Sequence, residues 1–255
     1  MKNTLHMNTV LVGLIGHPIK HTYSPFIHNV AFEIKKLDYL YLPFDVPAAN
    51  LGNAVKGMVA LGIKGFNVTI PNKVNIMQLL NNVSDEAAGV GAVNTVVNDL
   101  GRLTGYNTDV FGVLKSLDKY KSSLAGKKVT VIGAGGSARA VVYTLIKYFK
   151  PSCINIVNRT EQRSEAIRKY FSEKMKFDSI QCFELFPDNL QEIFRDSKLI
   201  VNATPVGMFP EVDESVVSQP EYFNKDQVVF DLVYNPSNTK LLSLASNREP
   251  AWSTE

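Results

Sequence analysis

The sequence predicts an α/β protein of two domains, each built on a mainly parallel sheet, and three observations carry that expectation. Strand-like and helix-like runs alternate almost throughout, the pattern of doubly wound sheets. A length of 255 residues, with 45% hydrophobic and 20% charged residues, suffices for two cores of common size. A glycine-rich turn, VIGAGGSAR, lies between an apolar run and an apolar helix near mid-chain, where a second series of alternating elements begins.

The first series opens with VLVGLIG (Val10 to Gly16), which reads as a buried strand. It is too short to span a bilayer and leads into HPIK with no small-residue cleavage pattern, so neither a membrane anchor nor a signal peptide is expected. PFIHNVAFEIKK is a helix with proline at its first position, and Ser24 before it is suited to be its N-cap. YLYLPFDV is a strand, a helix is expected near Asn50 to Leu61, and GFNVTI is a β-branched strand. That strand is expected to stop at Pro71, which cannot donate to the ladder, delivering Lys73 to the rim where α/β proteins keep their chemistry. Taken alone, Lys73 is a solvated loop lysine.

The second series runs through KKVTVIG (Lys127 to Gly133), a helix beginning at Ser137, the strand INIVN (Ile154 to Asn158), a polar helix from Glu161 to Phe171, and the strand KLIVNAT (Lys198 to Thr204). The two domains are expected to join near Thr108 to Tyr120, with boundaries at 1–108, 109–235 and a final segment 236–255. Residues 172–195 yield no reading.

Charge and cysteine usage exclude several classes. With 27 Lys+Arg against 24 Asp+Glu and no basic run longer than the pairs Lys35-Lys36 and Lys127-Lys128, neither a nucleic-acid track nor a polybasic membrane anchor is indicated. Cys153 and Cys182 form no C-x-x-C, zinc or disulfide pattern, so a reducing, cytoplasmic compartment is expected. His17 and His21 flank Pro18 in a loop and make no metal set. No Walker loop or nucleophile elbow is present, which disfavours phosphoryl and acyl transfer.

The stretch VTVIGAGGSARAVVYTL places Gly133, Ala134, Gly135, Gly136, Ser137 and Ala138 at a strand-to-helix turn. Glycines there allow a sharp turn and let backbone N–H groups approach a pyrophosphate at a helix N-terminus. A second strand ending at Asn158, 25 residues beyond Gly133, completes a Rossmann-type dinucleotide signature. NAD-binding versions place an Asp or Glu at that strand end, whereas this chain has Asn158-Arg159-Thr160 and then Arg163. Two guanidiniums and a hydroxyl suit a 2′-phosphate, so the predicted cofactor is NADP.

Read together, HPIKHTYSPFIHN, GFNVTIPNK, GAVNT, GYNTD, VIGAGGSAR, VNRT, NATPVGM and DLVYNP resemble shikimate dehydrogenase, in order from His17 to Pro236. The resemblance implies a substrate-binding and catalytic first domain and an NADP-binding Rossmann-type second one. It implies NADPH-dependent reduction of 3-dehydroshikimate to shikimate, and the reverse, in aromatic amino acid biosynthesis. Lys73 then corresponds to the catalytic lysine and Asp109 to its partner carboxylate, with the proton carried by Lys73 itself or through Asp109. Thr22 and Ser24 correspond to the two hydroxyls that hold the substrate carboxylate, the first usually serine. Thr69 and Asn94, with Asp109, correspond to residues that bind the ring hydroxyls, and Tyr234 to a tyrosine near carboxylate and nicotinamide. Thr204, Val206, Gly207 and Met208 fall in the loop expected beside the nicotinamide.

The resemblance stops after KLLSLASNR, where the family continues with a glycine-, leucine- and methionine-rich turn and a final helix, while this chain reads REPAWSTE. An altered return segment is therefore expected to weaken substrate binding and stability. A quinate/shikimate dehydrogenase and a catalytically silent NADP-binding homologue are the alternatives. Oligomeric state, monomer or homodimer, is open.

Overall fold

The structure, a computed structural model, describes residues 6–185, 187–247 and 251–254. The chain divides into two compact units, Met1–Thr108 and Asp109–Glu255.

The first unit orders β1 (Val10–Gly16), α1 (Ser24–Ile34), β2 (Tyr39–Asp45), α2 (Leu51–Ala60), β3 (Gly65–Val68), β4 (Asn82–Val83), α3 (Asp85–Val90), β5 (Thr95–Asp99) and β6 (Arg102–Tyr106). Its sheet runs β2-β1-β3-β5-β6-β4. The pairs β1–β2, β1–β3 and β4–β6 are parallel, while β5 runs antiparallel to both β3 and β6. One face packs Val55 and Met58 of α2 with Ile15, Phe66, Val68 and Ile76. On α1 no residue is fully buried, and Phe26 and Ile27 are 62% and 59% exposed.

Several local expectations need correction. Ser24 is the first residue of α1 and not its N-cap, and no side chain caps that end. The Thr22 hydroxyl instead accepts the Ser24 N–H at 3.2 Å, a Ser/Thr turn that leaves the Ser24 hydroxyl for other partners. The strand of GFNVTI stops at Val68 rather than at Pro71, because its antiparallel partner begins only at Thr95, opposite Asn67. The hairpin β5–β6 turns at Leu100 and Gly101, with φ of 50° and 90°. Asn98 supports the turn by accepting the Gly101 N–H at 2.8 Å and donating to the Ile63 carbonyl at 2.8 Å.

The second unit begins with α4 (Asp109–Leu117) and α5 (Lys121–Leu124), so the region expected to join the domains is helical. It continues through β7 (Lys128–Ile132), α6 (Gly136–Thr144), β8 (Cys153–Asn158), α7 (Glu161–Met175), β9 (Ile180–Glu184), α8 (Pro187–Arg195), β10 (Leu199–Asn202), β11 (Val228–Asp231), α9 (Lys240–Ser246) and β12 (Ala251–Thr254). The sheet order β12-β11-β10-β7-β8-β9 is parallel at every pairing. Strands β7, β8 and β9 step one way and β10, β11 and β12 the other, so the order reverses between β7 and β10. At their carboxyl ends such a fold keeps its ligand crevice. Residues 172–195, which the sequence left unread, hold the end of α7, then β9 and α8. Of the final segment, residues 248–250 and 255 lie outside the described residues.

Candidate active site

Hydrogen bonds tie together the first unit's candidate residues. Thr22 Oγ1 donates to the Ser24 hydroxyl at 3.2 Å, and the Ser24 side chain lies near enough to the phenol of Tyr41 to act on its ionisation. Burial pushes the Tyr41 phenol well above the ordinary tyrosine value, and Ser24 pulls it part of the way back. Tyr41 donates in turn to Asn67 Oδ1 at 2.7 Å. Asn67 Nδ2 donates to the Thr95 hydroxyl at 3.1 Å and to the Asn94 carbonyl at 3.3 Å. Thr95 donates to Asn94 Oδ1 at 3.0 Å, and the Asn94 amide brackets Thr108 by bonds of 2.9 Å to its hydroxyl and backbone N–H. A continuous hydrogen-bonded chain therefore runs from Tyr41 to Asn94, with the Thr22–Ser24 pair beside its Tyr41 end.

The turn after β3 carries Thr69 and Lys73 beyond the carboxyl end of that strand. Thr69 N–H donates to the Ile15 carbonyl at 2.9 Å, and the Lys73 carbonyl accepts the Val93 N–H at 2.8 Å, one residue from Asn94. Between them Asn72 is fully buried and holds the Val46 carbonyl at 2.8 Å. This anchored turn half-buries Lys73. Asp109 and Tyr234 belong to the second unit, Asp109 as the first residue of α4 and Tyr234 exposed just beyond β11.

In the second unit the glycine turn sits at the switch point. Gly133 has φ +109°, a conformation that favours glycine, and a Cβ there would lie 3.0 Å from Thr204 Cγ2 and 3.1 Å from the Ala203 carbonyl oxygen. A Cβ on Gly135 would meet nothing within 4 Å, so the turn opens toward space ahead of α6. Gly135 gives α6 no side-chain cap. Such a helix start suits an anion electrostatically, so these residues fit a pyrophosphate. At the end of β8, Asn158 Nδ2 donates to the Thr160 carbonyl at 2.8 Å, and Arg159, Thr160 and Arg163 are exposed. Gly136, Ser137 and Ala138 form the first turn of α6, with Ala134 and the N-cap Gly135 before it.

Two residues missed at the sequence level shape the loop that follows β10. Asn202 Oδ1 accepts the Thr204 N–H at 3.1 Å and its hydroxyl at 2.6 Å, and Thr204 Oγ1 accepts the Val206 N–H at 3.2 Å. Asn202 Nδ2 reaches Asp231 Oδ1 at 2.9 Å. The fully buried Asp231 also accepts the Val233 N–H at 3.0 Å and the Thr239 hydroxyl at 2.7 Å. Burial raises the Asp231 carboxyl above its ordinary value, against these three donors. Both residues lie in quoted motifs, NATPVGM and DLVYNP, where a buried Asn and Asp at strand ends were the available signal. Tyr41, a further omission, looks in sequence like any aromatic strand residue. Among the described residues no group of three or more His, Cys, Asp or Glu could hold a metal, and no helix is long and apolar enough to cross a membrane.

An all-parallel sheet with a glycine turn at its switch point and a carboxylate-free, basic end to β8 defines a class, the dinucleotide-binding α/β proteins. Comparison with known proteins narrows it. Residues 14–96 match the family model for the shikimate dehydrogenase substrate binding domain, and residues 115–238 match that for shikimate / quinate 5-dehydrogenase. A shikimate dehydrogenase (NADP(+)) of Caldanaerobacter subterraneus subsp. tengcongensis is 45% identical over 93% of this chain and 82% of its own length. A crystal structure of a shikimate dehydrogenase in complex with NADP+ superposes with TM-score 0.86 at 39% identity, over 98% of this chain and 85% of that one. Shikimate 5-dehydrogenase from Listeria monocytogenes, in complex with shikimate and NAD, gives TM-score 0.82 at 36% identity, over 100% and 89%. The chain belongs to the shikimate dehydrogenase family.

Proposed function

We propose that this chain is an NADP-dependent oxidoreductase that interconverts shikimate and 3-dehydroshikimate. The observation that carries the proposal is family membership spanning both units, with matches at 14–96 and 115–238 and a 45% identical relative named for that activity. The basic end of β8 supports NADP over NAD, because Arg159 and Arg163 would attract a 2′-phosphate that a carboxylate would repel.

The residues divide the work by chemistry. Thr22 and Ser24 offer hydroxyls at the start of α1, where the helix end adds to their attraction for a carboxylate. Thr69 and Asn94 bind ring hydroxyls, a role the family resemblance gives to Asp109 as well. Hydride reaching the ring ketone leaves negative charge on its oxygen, and the Lys73 ammonium stabilises and protonates that oxygen. In the reverse direction Lys73, alone or through Asp109, accepts the alcohol proton. Such general acid–base assistance is worth about 10² to 10⁴ in rate.

The turn Gly133–Ala138 holds the pyrophosphate, with Gly135 lacking the Cβ that would fill the cradle. Asn158, Arg159, Thr160 and Arg163 hold the adenosine end, and Thr204, Val206 and Met208 flank the nicotinamide, which supplies or accepts the hydride when bound. Tyr234 corresponds to a tyrosine that the family has near carboxylate and nicotinamide. The free cysteines Cys153 and Cys182 are consistent with a reducing, cytoplasmic setting.

A substrate panel tests the assignment: shikimate and quinate, each with NADP and with NAD, followed by absorbance of the reduced cofactor. Shikimate with NADP is expected to give the highest kcat/KM. Quinate outpacing shikimate, or comparable efficiency with NAD, would replace the assignment with a quinate/shikimate enzyme. Binding of NADP without turnover of either substrate would leave a silent homologue.

A further inference from the structure

Helix α1 carries the proposed carboxylate-binding hydroxyl Ser24 at its first position, yet it buries none of its residues fully and leaves Phe26 and Ile27 largely in solvent. Apolar burial, the usual source of helix positioning, is therefore weak here. Three polar or aromatic side chains of α1 converge instead on one residue of the sheet, Tyr41, which is only 3% exposed. Ser24 acts on its phenol electrostatically, His28 stacks on its ring with centroids 4.1 Å apart and planes 16° apart, and Asn29 takes both of its backbone groups.

The Asn29 contact replaces a missing strand. Tyr41 lies on β2, the edge strand of the sheet, so half of its backbone groups face away from β1. Asn29 Oδ1 accepts the Tyr41 N–H at 2.9 Å and Asn29 Nδ2 donates to the Tyr41 carbonyl at 3.1 Å, completing the edge at that point. His28 Nδ1 also donates to the Ser24 carbonyl at 2.9 Å, tying the stack back to the first turn. The phenol, held on its far side by Asn67 Oδ1 at 2.7 Å, is fixed by the chain that ends at Asn94. The Ser24 hydroxyl and the Asn94 amide are thus placed relative to each other through Tyr41.

We propose that Tyr41 and Asn29 are positioning residues for substrate binding. They hold the start of α1, and with it the Thr22 and Ser24 hydroxyls, at a fixed distance from the group that binds the ring hydroxyls. Neither touches the reacting atoms. The inference rests on the proposed function, and it assigns a role to the last residue of HPIKHTYSPFIHN that the substrate contacts leave unexplained.

Steady-state kinetics of Tyr41→Phe and Asn29→Ala provide the test, with shikimate and NADP varied separately. Tyr41→Phe keeps the ring on His28 and removes one hydroxyl, while Asn29→Ala removes both backbone contacts. Expected for both is a rise of about tenfold in KM for shikimate, the worth of one or two hydrogen bonds. The kcat should stay within about twofold, and KM for NADP should not move. In a Ser24→Ala background Tyr41→Phe should add less than about twofold, because its effect passes through Ser24. A purely structural role would lower the active fraction, reducing kcat and leaving KM for shikimate unchanged, and that result overturns the inference. So does full additivity of Tyr41→Phe with Ser24→Ala. Failure of the unsubstituted protein to reduce NADP with shikimate would overturn the functional reading, and this inference with it.

Discussion

Replacing Asp231 by alanine is the sharpest probe of the loop that follows β10. The carboxylate is fully buried and accepts from Asn202 Nδ2, the Val233 N–H and the Thr239 hydroxyl at 2.9, 3.0 and 2.7 Å. Each buried donor left without a partner costs about 1–3 kcal/mol. Two terms offset part of that loss. Asn202 Nδ2 keeps a longer contact to the Val206 carbonyl at 3.3 Å, and alanine relieves the desolvation that raises the Asp231 carboxyl. A net destabilisation of about 3 kcal/mol then corresponds to a Tm fall of about 6–12 °C, measured by thermal melting. Loosening Asn202 frees the Thr204 and Val206 backbone, so KM for NADP should rise about tenfold. Asp231→Asn, which keeps one acceptor oxygen, should recover most of both losses. Because folding raises this carboxyl, its contribution to stability is full below its unfolded value of 3.8 and falls as pH rises through its folded one. The Tm advantage of the unsubstituted protein over Asp231→Asn should therefore grow from pH 7.5 toward pH 4.5. A Tm within about 2 °C of the unsubstituted protein, with KM for NADP unchanged in Asp231→Ala, would refute the reasoning.

The remaining predictions concern the cofactor side. Gly133→Ala forces a Cβ into a φ of +109° and to 3.0 Å from Thr204, so it should lower stability by more than about 1 kcal/mol, seen as a shifted urea midpoint. Gly135→Ala meets nothing within 4 Å and should leave the melt intact while raising KM for NADP, because the methyl occupies the space proposed for the pyrophosphate. Arg159→Ala combined with Arg163→Ala should cut kcat/KM for NADP by about 10- to 100-fold and leave that for NAD nearly unchanged, as expected for loss of charge-assisted bonds to a 2′-phosphate. Added salt should shrink the NADP advantage of the unsubstituted protein, since these side chains are exposed.

What the sequence revealed and what it concealed have identifiable causes. The second unit was legible because β7, β8 and β10 are mostly apolar and largely buried, and because the turn at Gly133 needs glycine for a steric reason. The β5–β6 hairpin was not, since Leu100 takes a left-handed conformation usually given to Asn or Gly. The end of α7 was hidden for a similar reason: Lys176, with φ 55°, stands where glycine normally stops a helix. The site separates along the same line. Lys73, Thr22, Ser24 and Asn94 could be named from short motifs, whereas the parts of Tyr41, Asn29, Asn202 and Asp231 are visible only as hydrogen bonds between segments distant in sequence.

The central claim is that the anchored turn after β3 carries a catalytic lysine to a shikimate-binding site at the carboxyl end of that strand. Initial rates of NADP reduction by shikimate, measured side by side for the unsubstituted protein and Lys73→Ala at saturating concentrations, test it most directly. Turnover by the unsubstituted protein and a fall in kcat of about 10²-fold or more in the variant are expected. A variant turning over at close to the unsubstituted rate would contradict it.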